Sequence, residues 1–101
     1  MDPISTVGDA IAAARLAYDD LAAFAEDVED EWSYINDLAA AWIERMDAVA
    51  EVRGDEPAGA GVADAIPALV AEVAAIDDPH RAIDWLSTFP QVVLVALGEQ
   101  P

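Results

Sequence analysis

DPISTVGDAIAAARLAYDDLAAFAEDVEDEWSYINDLAAAWIERMDAVAEVR, Asp2 to Arg53, is the stretch that decides the fold. It contains one proline, Pro3, and one glycine, Gly8, and from Asp9 to Arg53 nothing breaks a helix. Ile4, Val7, Ile11, Ala14, Tyr18, Leu21, Ala25, Val28, Trp32, Ile35, Ala39, Trp42, Met46 and Val49 follow one another at alternating steps of three and four, and every one is apolar. That spacing marks a helix that lays one seam against other helices, as in a coiled coil. A single helix over about 3–53 would be roughly 75 Å long at ~1.5 Å per residue. A compact domain of about 100 residues has a radius of gyration of only ~13 Å. The helix therefore either projects and is covered by another chain, or folds back on itself. Ser33, Asn36 and Asp37 are weak helix formers, which makes Glu31–Asp37 the place for a bend. Neither glycine nor proline marks a turn there, so the continuous helix with a partner is the expectation.

The start of this helix has two candidates. Asp2-Pro3 offers a capping acid followed by proline at the first helical position, and Thr6 with Asp9 offers a second start at residue 7. The outer heptad positions carry Asp9, Asp30, Asp37, Glu44 and Glu51, a solvated acidic face. Phe24, Leu38, Ile43 and Val52 widen the apolar stripe beyond the seam, which suits a bundle better than a two-stranded zipper. Small Ala14, Ala25 and Ala39 alternate along the seam with large Tyr18, Trp32 and Trp42. Such alternation favours interdigitation with a specific surface.

Arg53 to Gly61, RGDEPAGAG, ends the helix and forms a loop over 54–61. Its Arg-Gly-Asp tripeptide, also found in cell-adhesion ligands, carries little weight in a chain this acidic. A second helix is expected over Val62–Ile76, capped by Asp64, with Pro67 in its first turn and an apolar face of Ile66, Leu69, Val70, Val73 and Ile76. Asp78 and Pro79 restart the chain as a third helix, Pro79–Ser87. Thr88 and Gln91 have the spacing of a capping box for a last element, Gln91–Leu97, closed by Gly98. Six apolar residues in a row, Val92 to Leu97, leave that element open between helix and strand. The expected fold is thus all-α and a single domain over 1–101. The long helix occupies 1–53, and a cluster of two or three short helices over 62–101 packs back on one end of it.

Charge is the second informative property. Twenty-one acids, 13 Asp and 8 Glu, face 4 arginines and no lysine, a formal net charge of −17. Such a chain repels the phosphate backbone, which excludes direct nucleic-acid binding, and it repels anionic membrane surfaces. Pairs such as Glu26 with Asp30 and Asp27 with Glu31 stand at i,i+4 on one helix, each costing about 0.2–0.5 kcal/mol at low salt. At ~1 M salt the Debye length falls to ~3 Å and most of that repulsion disappears. In composition the chain resembles halophilic proteins. The competing explanation of the acidity is a basic protein partner. At 55% hydrophobic content the chain is not disordered, and without cysteine it has no disulfide or thiolate chemistry. Met-Asp-Pro has neither the basic start nor the apolar core of a secretory leader, so a cytoplasmic location, or a particle assembled inside the cell, is expected.

Residues able to carry chemistry are few. The acidic run Glu26–Glu31 lacks the Glu-x-x-His pattern of di-iron bundles and the glycine of a calcium loop. His80, the only histidine, lies beside Asp77 and Asp78, but Asp78 is needed as a helix cap. Ser5, Ser33 and Ser87 have no triad partners, and no phosphate-binding glycine loop is present. No catalytic, cofactor or metal residue is assigned, and no cofactor is expected. The candidate functional residues are those of the seam and its partners: Tyr18, Leu21, Val28, Trp32, Ile35, Trp42, Met46, Val49 and Trp85. Aromatic residues at seam spacing serve as core or as interface anchors. The expectation is a non-enzymatic assembly module. It would join a homo-oligomer or dock on another helical protein within a larger complex or a structural, even viral, particle. The alternative is an acidic regulator that binds a basic protein, as nucleic-acid mimics and antitoxins do.

Overall fold

The computed structural model describes residues 4–26 and 29–99, the side chains of 29–36 and of Leu38 apart. Four α-helices follow one another: α1 (Val7–Ala25), α2 (Glu29–Arg53), α3 (Ala60–Ala74) and α4 (Pro79–Ala96). The single helix expected over 3–53 is two helices. α1 ends with Glu26 as its C-cap, and α2 begins at Glu29; the break falls before Glu31–Asp37, which lies within α2. No glycine or proline causes it. Glu26 places a carboxylate at the negative end of the α1 dipole, which disfavours continuation of that helix. Folding back supplies what a lone helix lacks, a surface for the seam. Val7, Ile11, Ala14, Tyr18, Leu21 and Ala25 of α1, and Ala39, Met46 and Val49 of α2, are all buried in this chain's own core. Each large apolar side chain so buried contributes about 1.5–3 kcal/mol, far more than any local propensity difference.

The two ends of the α1–α2 pair meet through backbone. Helix α1 begins at the second of its two candidate starts. Thr6 Oγ1 accepts from Asp9 N–H at 3.1 Å, and the Asp9 carboxylate accepts from Thr6 N–H at 3.2 Å. The remaining free donors of the first turn find carbonyls in the loop after α2: Val7 N–H donates to Glu56 O at 2.9 Å and Gly8 N–H to Gly54 O at 3.1 Å. Ala58 N–H donates back to Ser5 O at 2.9 Å. This leaves no orphan donor at the helix start. It also explains the two glycines: a Cβ on Gly8 would stand 3.0 Å from the Gly54 carbonyl oxygen, and one on Gly54 would press into that of Ala50.

Helices α1 and α4 each touch all three others, whereas among the described residues α2 and α3 do not meet. The bundle is therefore a central α1/α4 pair flanked by α2 and α3. Helix α2, about 37 Å long at ~1.5 Å per residue, matches the longest dimension of 39 Å, and the radius of gyration is 13.1 Å. The short helices thus cover both parts of the first half, where the sequence led to the expectation of one end only.

Two C-terminal boundaries also differ from expectation. Helix α3 starts at Ala60 with Gly59 as its N-cap; Asp64 is an exposed interior residue, and Pro67 lies mid-helix. The third helix and the last element are one helix, α4, with Pro90 buried inside it. Thr88 and Gln91 do not form a capping box. Thr88 Oγ1 donates to Asp84 O at 3.3 Å and Gln91 Nε2 to Ser87 O at 2.9 Å. Pro90 removes one ladder bond, but Leu86, Phe89, Val93 and Leu94 on either side are fully buried, and that burial holds the helix across it. The question between helix and strand for 91–97 is settled by the same packing: helix runs to Ala96. The expected ends of α4 hold. Asp78 accepts from His80 N–H at 3.0 Å. Gly98, at φ 83°, completes a Schellman turn through Gly98 N–H to Val95 O and Glu99 N–H to Leu94 O. Arg53 reaches across to this end, donating to Leu97 O at 3.1 Å while pairing with Glu56 and Glu99. The arginine of the Arg-Gly-Asp tripeptide is thereby a strut between α2 and α4.

Candidate functional site

A row at i,i+4 spacing, Leu16, Asp20 and Phe24, runs along the face of α1 that turns away from the core. Beside it run Ala13, Ala17 and Leu21. The end of α3 stands opposite, with Val70, Val73 and Ala74, and Ile76 just beyond. Alanines at 13, 17 and 74 are too small to fill the space between the two helices. The result is an open apolar groove of about 490 Å³. Leu16 is 69% exposed and Phe24 37%, so its outer wall is uncovered. Among the described residues, Asp20 is the one charged residue lining it. Its volume lies within the range of clefts that take ligands or side-chain anchors, about 300–1,000 Å³.

Electrostatics around the groove run one way. Helices α1 and α3 carry Asp9, Asp19, Asp20, Asp64 and Glu72, against Arg15 alone. Arg15 does not face the groove. It lines a second, more polar hollow of about 400 Å³ with Tyr18, Asp19, Ala22, Ala40, Ile43 and Glu44. Neither α1 nor α3 has a basic residue in its last turn, and Glu26 caps α1. The negative ends of both helix dipoles thus border the groove, and among the described residues no basic side chain lines it. In the second hollow, burial pushes the Tyr18 hydroxyl above its ordinary value of 10.0, Arg15 opposing and Asp19 adding to the effect. That phenol stays protonated at neutral pH.

Of the seam residues named from the sequence, only Leu21 lines this surface among the described residues. Tyr18, Leu21, Met46 and Val49 are in the core, and Trp42 and Trp85 are half-buried against it. Val28 and the side chains of Trp32 and Ile35 lie outside the described residues. Of the groove residues, Phe24 was legible as a seam flank, and Val70, Val73 and Ile76 as the apolar face of α3. Leu16 was missed, although its i,i+4 and i,i+8 relation to Asp20 and Phe24 marks a second row on α1. Among the described residues, no group of three His, Cys, Asp or Glu side chains converges on a metal position, and no helix is long and apolar enough to cross a membrane. Compared with protein-family models, with curated proteins and with solved structures, the chain matches none.

Proposed function

We propose that this chain is a non-enzymatic helical interaction module that docks a helix of another chain in the α1/α3 groove. The observation that supports it is the uncovered apolar wall at Leu16 and Phe24, beside a hollow that alanines leave open. Exposed apolar surface of this kind, rimmed by charge, marks interaction sites on folded proteins. The module would serve in a cytoplasmic complex or an intracellularly assembled particle, as a homo-oligomer or with another helical protein. Its acidity would suit it to high salt. A second reading, an acidic regulator of a basic protein, gains support from the lack of a basic side chain among the described residues that line the groove.

The test is mass and shape by light scattering and small-angle X-ray scattering, from about 0.1 M to about 3 M salt, where Debye lengths run from ~10 Å to below ~3 Å. The wild type is compared with the double variant Leu16→Ser/Phe24→Ser. Assembly lost in the double variant supports self-docking through the groove. A single chain at every salt transfers the role to a different protein. Assembly that survives the double variant overturns the groove as the docking surface.

A further inference from the structure

We infer, resting on the interaction-module reading, that the occupant of the α1/α3 groove is an amphipathic helix of a second protein whose flanks are basic. Shape limits the occupant first. The outer wall from Leu16 to Phe24 is about 12 Å long at ~1.5 Å per residue, two turns of helix, and both walls are themselves helices. An apolar stripe at i, i+3, i+4 and i+7 fits such a trough. Among the described residues helix α3 touches only α1 and α4, so a docked helix would cover its remaining side as α2 covers the other flank of the bundle.

Charge then selects among helices. Asp20 lines the groove, and the helices that build it carry five carboxylates and one guanidinium, which faces the other hollow. Two helix C-termini border it without a basic residue in either last turn. A second copy of this chain would bring another −17 and the same carboxylates to its own rim. A basic helix instead lays its Lys and Arg stems over Leu16, Phe24 and Val70 and keeps their cationic heads at the rim. There they meet Asp20 and the negative dipole ends of α1 and α3. An anionic membrane is disfavoured by the same charge.

The experiment uses fluorescence anisotropy with three labelled peptides of about 18 residues, five turns of helix. All share one leucine stripe; the flanks are Lys/Arg, Gln or Glu. The expected result at low salt is binding of the basic peptide, with the Gln peptide about ten-fold weaker or more and the gap closing as salt rises. Leu16→Ser and Phe24→Ser each weaken the basic peptide about ten-fold. Asp20→Asn, in the groove, weakens the basic peptide more than Asp47→Asn or Glu51→Gln, which remove the same single charge from the exposed face of α2 and change affinity less than about two-fold, the size of an exposed charge contact. Circular dichroism of each variant confirms that the fold is kept. Equal binding of the Gln peptide, or a second copy that occupies the groove in competition with the basic peptide, overturns the basic partner and leaves the module intact. Loss spread evenly over groove and α2 variants shows diffuse charge attraction and also overturns the inference. No binding by any peptide, together with no self-association, overturns the module reading itself.

Discussion

Met46→Ala tests the central feature of the fold, that the seam of the first half closes within one chain. Met46 is 0% exposed and among the largest fully buried side chains. Removing three side-chain heavy atoms costs about 2 kcal/mol of transfer free energy at ~0.8 kcal/mol per methylene-sized group. The void they leave adds to that, and buried Met→Ala changes cost about 2–5 kcal/mol in all. We expect about 3 kcal/mol, a large share of the ~5–15 kcal/mol that a domain of this size possesses. At about 4–8 °C per kcal/mol, the thermal midpoint should fall by roughly 12–24 °C. The assay is urea unfolding followed by circular dichroism at about 1 M salt, where charge repulsion is screened. The midpoint should shift at constant slope. Val52→Ala, at a position 83% exposed, should stay within about 0.5 kcal/mol of wild type. The loss should not depend on protein concentration, because the neighbours of Met46 belong to the same chain. A loss that shrinks or grows with concentration would mean that another chain covers the seam, and a loss under about 0.5 kcal/mol would refute the burial itself.

Four further outcomes follow from the same packing. Gly54→Ala should cost about 1–3 kcal/mol in chemical unfolding, because its Cβ meets the Ala50 carbonyl. Gly61→Ala, within α3 and with nothing near its Cβ, should stabilise by about 0.5–1 kcal/mol. The Tyr18 pKa is raised in the folded chain by burial, so the unfolded chain loses that proton first as pH rises. Tyr18 therefore stabilises the fold fully below pH 10.0, its unfolded value, and stability falls above it. Tyr18→Phe should flatten that alkaline fall in unfolding midpoints measured against pH, and an unchanged fall would show that the phenol is not the group responsible. Arg53→Gln removes the strut to Leu97 O and Glu99. It should cost about 0.5–1.5 kcal/mol, as expected of a partly exposed charged hydrogen bond. Native-state hydrogen exchange at the end of α4 should report it, and unchanged protection there would count against the strut.

Legibility of the site was uneven for a physical reason. Phe24 and the α3 residues Val70, Val73 and Ile76 are apolar wherever one looks for a face, but their exposure depends on what stands opposite. Ala13, Ala17 and Ala74 make the groove by being small, and an alanine in a helix reads as a good helix former whether it closes a contact or leaves a hollow. Leu16 belongs to no seam, and its row with Asp20 and Phe24 is interrupted by a charge, so the apolar periodicity gave it no role. The seam residues Tyr18, Met46 and Val49 were legible as residues that must be covered. Which chain covers them was not.

The sequence by itself determined the helical class, the strict seam, the Thr6/Asp9 and Asp78 caps, the glycine stop at Gly98 and the strong acidity. Local chemistry governs each of these: hydrogen bonds to near neighbours, side-chain periodicity and summed charge. Tertiary structure alone decided that the chain turns after Ala25 and that α4 runs through Pro90. It also decided that Thr88 and Gln91 bond along a helix and do not cap one. In each case a modest local preference, about 0.5–3 kcal/mol, meets the burial of several large side chains at about 1.5–3 kcal/mol each. The larger sum wins, and its terms are contacts between residues far apart in the chain.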